Sequence, residues 1–435
     1  MKLLCVHRTK IPFAEGMRLR SLFCIFCLPT FIWANSPETI EFPHFKKAPH
    51  EYSTRTPADA FSQIKDGIQT GAVKLDHSSS KAYLISLLRS LGISPSTQTL
   101  VFSTTSLQLS RISPSNPRSI YFNEDIYLGW VPGGKIEVLG IDPDWGAITY
   151  IFDVPRPGSP PSPILRATRC MNCHASPDIG GYPGLLVSSV VPGPGGGSLD
   201  SFRQEETGHG VALEDRFGGW HLTGKHNITK HWGNLTGTLS PKGMTKFPNE
   251  PGQRFSLARY PVPTSDVLAH LLFEHQVGFV NRFIAATYRA RAVLSGSVPE
   301  IGEKDTPGFL EREAKGLVGY LLFADEVSLE DKEIDGDSNL VRDFRRKSKK
   351  ASDGSSLRDF DLQSRIFRFR CSYMIYSASF SGLPASLKQR VFVELDRALS
   401  PKLDLPEYSH LPDEEKLSIR KILKETLTSL PKGWQ

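Results

Sequence analysis

The spacing of apolar and polar residues predicts a β-rich segment that follows two short helices. Helical patterns cover residues 58–69 and 80–91, and the second ends at Gly92. Apolar residues then alternate or cluster in four short segments separated by turns rich in glycine, proline and aspartate. These segments are 119–122, 126–130, 135–139 and 147–152. This arrangement predicts an antiparallel β-meander.

Helical spacing returns in the C-terminal third of the chain. Thr264 is the predicted N-cap of a helix of about thirty residues, whose apolar positions include Leu268, Leu272 and Phe279. Further helices are predicted over 309–324, 365–381, 385–399 and 413–427. Residues 342–354 are basic and lack periodicity, as in a solvated loop, although an acidic redox partner could dock there.

The first 34 residues have the pattern of a secretory signal peptide. The apolar run Ser21–Trp33 follows two arginines, ends at Ala34 and is too short to span a bilayer comfortably. Met17 could be the true start, because MRLR would form a basic leader. The alternative is an uncleaved anchor. Cleavage predicts an exported, periplasmic protein without a transmembrane span.

Charge and cysteine content narrow the chemistry of the mature chain. The full chain has a formal net charge of +6, but the predicted leader holds five basic residues against one acidic residue. The mature chain is therefore almost neutral, and no nucleic-acid partner is predicted. It keeps only Cys170, Cys173 and Cys371, which do not form a disulfide framework. Cys371 lies in an apolar, helix-like segment and is predicted to be a buried thiol.

The sequence Cys170-Met171-Asn172-Cys173-His174 is a C-x-x-C-H motif, the covalent attachment pattern of c-type haem. The two thiols would bond to one haem, and His174 would be the proximal iron ligand. A zinc site using both cysteines with His226 and His231 is one alternative. A redox dithiol is another, but it would be expected in a β-α-β context rather than among prolines. The motif therefore predicts one covalently bound haem c.

Glycine and proline are abundant from residue 175 to 263, which disfavours helices there. A haem attached at the motif would consequently be enclosed largely by loops. We therefore predict an α+β fold with N-terminal helices, a β-meander, a loop-built haem region and a helical C-terminal third. The predicted regions after the 1–34 leader are 35–163 (α/β), 164–263 (haem-binding) and 264–435 (helical).

The sixth ligand of the iron is harder to assign. The segment GGWHLTGKHNITKHWGN, residues 218–234, contains three histidines, of which we favour His226 or His231. Each could instead be a hydrogen-bonded structural residue. The weaker candidates are His209, His221, His270, His275 and Met244. Trp220 and Trp232 could line the haem or pack in the core.

Several segments resemble one group of exported proteins, the cytochrome c domain-containing proteins with a single attachment motif. The segments are LVFSTTSLQ (100–108), NPRSIYFNEDIYLGWVPGG (116–134), CMNCH (170–174), GGWHLTGKHNITKHWGN (218–234), LFEHQ (272–276) and CSYMIYS (371–377). They are spread over most of the mature chain. The resemblance implies that Cys170 and Cys173 link haem and that His174 binds iron, with His226 and His231 as members of the pattern.

The chain departs from this pattern at two positions. The family has an aromatic residue where His221 stands and methionine where Trp232 stands, and Met244 lies outside the shared segments. A ligand role for His221 or Met244 is therefore not implied. The family has no settled reaction, so the resemblance implies haem and export without a substrate.

Three functions follow as alternatives. The first is electron transfer from a monohaem c-type cytochrome to a periplasmic or membrane-bound redox partner. The second is a haem enzyme of peroxidase type, or a small-ligand sensor, with an open distal side where His226 or His231 assists. The third is a structural or interaction module that haem stabilises. No nucleophile elbow or metalloprotease helix indicates hydrolysis.

Overall fold

The described part of the chain is a mixed α+β fold, as predicted, built around one antiparallel sheet. The structure is a computed structural model that describes residues 40–104, 106–156, 158–159, 163–201 and 208–434. The predicted signal peptide, 1–34, lies outside the described residues. From Glu41 onward the chain forms one compact unit.

Seven strands form the main sheet, in the order β6-β5-β4-β3-β2-β1-β9, and every neighbouring pair is antiparallel. The strands are β1 Thr99–Val101, β2 Arg118–Phe122, β3 Ile126–Trp130, β4 Ile136–Asp142, β5 Gly146–Phe152, β6 Leu165–Arg166 and β9 Trp220–His221. Strands β2 to β5 form the predicted meander. Two hairpins stand apart from this sheet, formed by β7 Val190–Pro192 with β8 Ser198–Ser201 and by β10 Leu235–Ser240 with β11 Gly243–Pro248.

Nine helices lie in the described residues, and most of them follow the sheet in the chain. They are α1 Ala60–Gln69, α2 Ser80–Ser90, α3 Met171–His174, α4 Val267–Leu294, α5 Thr306–Leu321, α6 Ser338–Arg346, α7 Ala378–Ser381, α8 Ala385–Ala398 and α9 Asp413–Thr426. The helical predictions over 58–69, 80–91, 385–399 and 413–427 are confirmed to within two residues at each end. The helix predicted over 309–324 is present as α5 but begins three residues earlier.

The two faces of the sheet pack against different partners because side chains alternate along each strand. One face meets α1, where the Tyr150 hydroxyl donates to the Asp59 carboxylate over 2.6 Å. The same carboxylate accepts the first backbone N–H groups of α1. On the other face, the Tyr127 hydroxyl donates to Gln276 of α4 over 2.9 Å. Helix α4 covers only part of that face, and the candidate site lies over the rest.

Helix α4 is the central helix of the core. Apolar residues surround nearly its whole circumference, so it is buried on almost every side. On this helix the Glu274 carboxyl lies 3.2 Å from Arg216, and Arg289 is ion-paired with Glu313 over 2.6 Å. Among the described residues, no helix combines the length and apolar character that crossing a membrane requires.

Thr264 is not the N-cap of α4, contrary to the prediction. Asp266 caps the helix, and its carboxylate accepts the backbone N–H of Leu268 over 2.9 Å. The carbonyl of Thr264 instead accepts a hydrogen bond from Gln98, because the segment before α4 docks beside β1. The neighbouring Ser265 hydroxyl accepts the backbone N–H of Leu100, on β1 itself.

Two other predictions in the C-terminal third were wrong. The first part of the basic stretch 342–354 is helical, since Asp337 caps α6 and the helix buries Leu340 and Phe344 on one face. The predicted helix over 365–381 is instead irregular, with a 3₁₀ turn at Tyr373–Tyr376 followed by the short α7. Carboxylates outside that segment satisfy its backbone: Glu326 accepts the N–H of Ile366, for example. This removes the need for helical hydrogen bonds there.

The first two regions predicted after the leader share one sheet, and the third packs against it. Strand β9, from the predicted haem region, pairs with β1 of the first region. Helix α4, from the third region, packs Phe273 against Phe122 with ring centroids 5.3 Å apart. The glycine- and proline-rich stretch is mostly loop, as predicted, but it also contributes β9 and the two hairpins.

Candidate functional site

The C-x-x-C-H motif forms one helical turn at the edge of a cavity. A 3₁₀ turn, Thr168–Cys170, continues directly into α3. Residues three and four apart share a face of a helix, so Cys170, Cys173 and His174 lie on the same side of this turn. Met171, between them, is buried, and its sulfur accepts a hydrogen bond from Tyr52 over 3.4 Å. The turn is thus anchored in the core through one residue while its functional side chains face the cavity.

The cavity has a volume of about 580 Å³, within the usual range for cofactor sites. All three motif residues line it. One face of the sheet forms a large part of its wall, with Arg118, Ile120, Tyr127, Gly129, Glu137, Leu139 and Thr149. The lining also includes Trp220, Phe273 and residues of two further segments, namely Thr104, Ser106, Leu107, Leu109, Leu185, Leu186, Ser188 and Val190. Parts of the chain that are distant in sequence therefore enclose one mostly apolar space.

His174 is oriented by a reciprocal pair of hydrogen bonds with Gly184. Its Nδ1 lies 3.0 Å from the Gly184 carbonyl oxygen, which can only accept, so Nδ1 carries the proton. The Gly184 N–H in turn donates to the His174 carbonyl over 2.7 Å. This leaves Nε2 with a lone pair. Metal-binding histidines are typically held in this way, with the second ring nitrogen donating to a backbone carbonyl.

Burial sets the charge state of His174. It lowers the pKa of the imidazole below 6.5, which favours the neutral form that binds metals. The Gly184 hydrogen bond opposes this shift, Arg118 adds to it and Glu137 opposes it. The charged pair on the sheet therefore acts electrostatically on the motif histidine.

The two motif thiols are unpaired and differ in exposure. Cys170 is half-buried, and burial raises the pKa of its thiol. Cys173 is exposed at the cavity edge. Nearby, the side chains of Leu107 and Leu109 are 52% and 59% exposed although both line the cavity. An apolar occupant attached to these cysteines would cover them.

Gly184 and Asn281 support His174 and were not identified from the sequence. Asn281, on α4, accepts the N–H of Leu185 and donates to its carbonyl, each over 2.8 Å. A Cβ atom at position 184 would overlap the Asn281 side chain, so glycine is required there. The only sequence signal was the glycine itself, in a region already rich in glycine.

The preferred sixth-ligand candidates lie outside the cavity lining. His226 and His231 are neighbours, with ring centroids 5.7 Å apart, but neither is among the residues that line the cavity. Nδ1 of His226 accepts the Ile228 N–H over 3.3 Å, while Nδ1 of His231 is buried without a hydrogen-bond partner. The structure thus unites Cys170, Cys173 and His174 but does not bring these two histidines to them.

The weaker candidates also lie elsewhere. His221 is buried on β9 between Phe102 and Phe255, and His270 hydrogen-bonds the His221 carbonyl over 3.0 Å. His209 and His275 hydrogen-bond each other over 2.8 Å in the core. Met244 is on hairpin strand β11. The described lining of the cavity contains no histidine other than His174 and no methionine.

The two tryptophans near the histidine-rich segment have different surroundings. Trp220 lines the cavity, whereas Trp232 lies on the β10–β11 side, with the Lys246 ammonium 3.5 Å from its ring centroid. Cys371 is fully buried, as predicted.

Among the described residues, no group of three or more His, Cys, Asp or Glu side chains is placed to hold a metal ion. The alternative zinc site therefore has no assembled ligand set in that part of the chain.

No protein-family model, curated protein or solved structure matches this chain. The functional argument consequently depends on the geometry and chemistry of the site.

Proposed function

We propose that this protein is an exported monohaem c-type cytochrome. Cys170 and Cys173 would hold one haem c covalently, and His174 would be its axial ligand. The observation that carries the proposal is the orientation of His174: its Nδ1 donates to the Gly184 carbonyl over 3.0 Å, and its Nε2 is left for iron in a cavity that both cysteines line.

The cavity fits this cofactor in three respects. Its volume is that of a cofactor site, its walls are mostly apolar, and its edge carries two unpaired thiols. Bound haem c would supply a one-electron iron couple and a coordination position for a small ligand. The protein's own residues hold the neutral imidazole in one orientation, and Trp220 and Phe273 add apolar surface to the cavity.

Export and a redox partner belong to the same proposal. The apolar run Ser21–Trp33, which follows two arginines, supports export. In this account a periplasmic or membrane-bound partner exchanges electrons with the haem edge near the exposed Cys173.

A second function is favoured by the composition of the lining. An electron carrier usually has two protein ligands on its iron, but the described lining offers only His174. A haem with one protein ligand has an open position for a small molecule. The protein would then be a small-ligand sensor or a haem enzyme rather than a simple carrier.

Haem attachment is tested on the exported protein. A denaturing gel stained for haem and a pyridine haemochrome spectrum should show covalent haem in the wild type. Cys173→Ser should lose one thioether and shift the haemochrome band, whereas the control Cys371→Ala should keep the wild-type band. A colourless wild-type protein with the mass of its amino acids alone would refute the proposal.

The two functions differ in the spectrum of the reduced protein. A low-spin spectrum that carbon monoxide leaves unchanged supports electron transfer with two protein ligands. If His226 or His231 is the second ligand, its replacement by alanine should convert that spectrum to high spin. A high-spin reduced spectrum that carbon monoxide shifts at once supports the open site.

A further inference from the structure

One charged pair lies in the mostly apolar sheet wall of the cavity. Arg118 on β2 and Glu137 on β4 are ion-paired, with Nη2 2.6 Å from Oε2. Their side chains are only 16% and 15% exposed. Glu137 also accepts the Ser106 hydroxyl over 2.7 Å. Burying a charged pair in a cavity wall costs desolvation free energy. This cost suggests that the pair interacts with a molecule bound in the cavity.

Gly129 makes this pair geometrically feasible. Strand β3 lies between β2 and β4, and Gly129 is the direct cross-strand partner of Glu137. The Arg118 guanidinium lies over Gly129, where a Cβ atom would overlap it. Any other residue at position 129 would therefore block Arg118 from crossing β3. The glycine and the pair form one built unit, which fixes the plane of the guanidinium.

The guanidinium keeps hydrogen-bonding capacity for a ligand. Arginine has five N–H donors, and within the described part of the chain the Glu137 ion pair is its only side-chain polar contact. Two other polar side chains of the lining already have hydrogen-bond partners. The Tyr127 hydroxyl donates to Gln276, and the Trp220 indole donates to the Ser188 carbonyl over 3.1 Å.

The pair lies close to the attachment motif. Arg118 and Glu137 line the same cavity as Cys170 and His174. A cofactor attached at Cys170 would occupy the space that this pair lines. Planar, charged guanidinium groups are well suited to bind carboxylates and other oxyanions.

We propose that Arg118, positioned by Glu137 across Gly129, is the anion-binding residue of the haem cavity. The anion is either a carboxylate of the haem itself or a small free anion that enters beside the iron. This inference rests on the proposed function, because it assigns a role toward the haem that the motif would hold.

The test uses exported, haem-loaded protein and a matched control. The variants are Arg118→Gln, Arg118→Lys and Glu137→Gln. The control is Arg289→Gln, which breaks an ion pair of the same 2.6 Å length between α4 and α5, outside the cavity lining. Fluoride is titrated into the ferric protein and followed by absorption. The midpoint potential is measured on the same samples by spectroelectrochemistry.

A free anion at Arg118 predicts that Arg118→Gln weakens fluoride binding by about tenfold or more relative to Arg289→Gln, since hydrogen bonds to charged groups contribute at least that factor. Glu137→Gln should strengthen it. A haem carboxylate at Arg118 predicts unchanged fluoride binding in every variant. In that case the midpoint potential falls in Arg118→Gln and rises in Glu137→Gln, because the cation favours the reduced iron.

The proposal is overturned if Arg118→Gln and Glu137→Gln match Arg289→Gln in both fluoride affinity and midpoint potential. If Arg118→Gln does not accumulate, Glu137→Gln carries the same comparison. Absence of haem from the wild type would instead refute the proposed function, so the two failures are distinguishable.

Discussion

His174 is positioned by side chains far from it in sequence. Asn281 on α4 holds the backbone of Leu185 by two hydrogen bonds. The residue before Leu185 is Gly184, whose carbonyl accepts the hydrogen bond from the His174 imidazole. A single asparagine on the central helix therefore sets the direction of the nitrogen that would bind iron. Such supporting residues commonly tune a metal site almost as much as the ligand itself.

Replacing Asn281 by alanine should weaken both the fold and the site. It leaves the N–H and the carbonyl of Leu185 without partners, which should lower the free energy of unfolding by about 1–3 kcal/mol. The ferric absorption spectrum should change as well, because His174 loses its fixed orientation. Urea unfolding and absorption of the exported protein measure the two effects. Asn339→Ala, which removes an exposed contact to Arg342, serves as the control.

If Asn281→Ala lowered stability but had the same ferric absorption spectrum as the wild type, the role of the asparagine would be structural only. An unchanged stability would show that water replaces both hydrogen bonds.

Glu274 should make stability depend on pH in a defined direction. Burial raises the pKa of its carboxyl from 4.5 to about 7, and Arg216 only partly offsets this. Between these values the unfolded chain is ionised while the folded protein keeps the proton. Raising the pH therefore destabilises the wild type relative to Glu274→Gln by roughly 1.4 kcal/mol for each pH unit in that window.

Urea unfolding of the wild type and Glu274→Gln at pH 5 and pH 8 measures this difference. Glu407→Gln is the control, because the Lys315 hydrogen bond lowers the pKa of Glu407 from 4.5. The contribution of this carboxylate to stability is therefore already complete above pH 4.5. The wild type and that variant should differ equally at both pH values. If the unfolding free energies of the wild type and Glu274→Gln also differed by the same amount at both pH values, the Glu274 carboxyl would ionise normally in the folded protein.

The contact between α7 and the sheet depends on one glycine. A Cβ atom at Gly382, which follows α7, would collide with the backbone of Pro143 in the turn between β4 and β5. Backbone atoms cannot move aside as a flexible side chain can. Gly382→Ala should therefore lower the free energy of unfolding by about 1–3 kcal/mol.

Gly316→Ala provides a control of opposite sign for this prediction. Gly316 is an exposed residue inside α5, and a Cβ atom there would meet nothing within 4 Å. Alanine should stabilise that helix by about 0.5–1 kcal/mol. Thermal or urea unfolding of both variants gives the comparison, and equal shifts in one direction would contradict the assigned packing.

Local patterns predicted the elements better than they predicted the irregular segments. The meander and most helices follow from periodicity, because each buries one face of its own residues. The segment 365–381 failed because its backbone bonds to carboxylates such as Glu326 and Glu415, which lie distant in sequence. The N-cap of α4 was predicted wrongly for a similar reason. Thr264 accepts a hydrogen bond from Gln98 and Ser265 accepts one from Leu100, so this segment is held beside β1 instead of capping the helix.

The candidate site could be predicted only as far as one local motif defines it. Cys170, Cys173 and His174 lie within five consecutive residues and form a single turn. Arg118, Glu137, Gly184 and Asn281 come together only through the sheet register and α4, which no local pattern encodes. The preference for His226 and His231 relied on their closeness to one another in sequence, and the cavity walls come from other segments.

The cysteines of the whole molecule allow one assay to test export, haem attachment and core packing together. The full chain has six cysteines, at positions 5, 24, 27, 170, 173 and 371. The proposed signal cleavage would remove the first three, and thioether bonds to haem would consume Cys170 and Cys173. Cys371 is fully buried, and burial raises the pKa of its thiol, so reagents that require a thiolate should not reach it in the folded protein.

The mature protein should therefore show no reactive thiol when folded and one thiol per chain in denaturant. Three thiols in denaturant would indicate a cleaved chain without haem or a shortened leader that was retained, and the intact mass separates these two cases. A reactive thiol in the folded holoprotein would contradict the buried position of Cys371. Because each modification changes a different set of cysteines, the count and the mass together report on the N-terminus, the motif and the helical third in one sample.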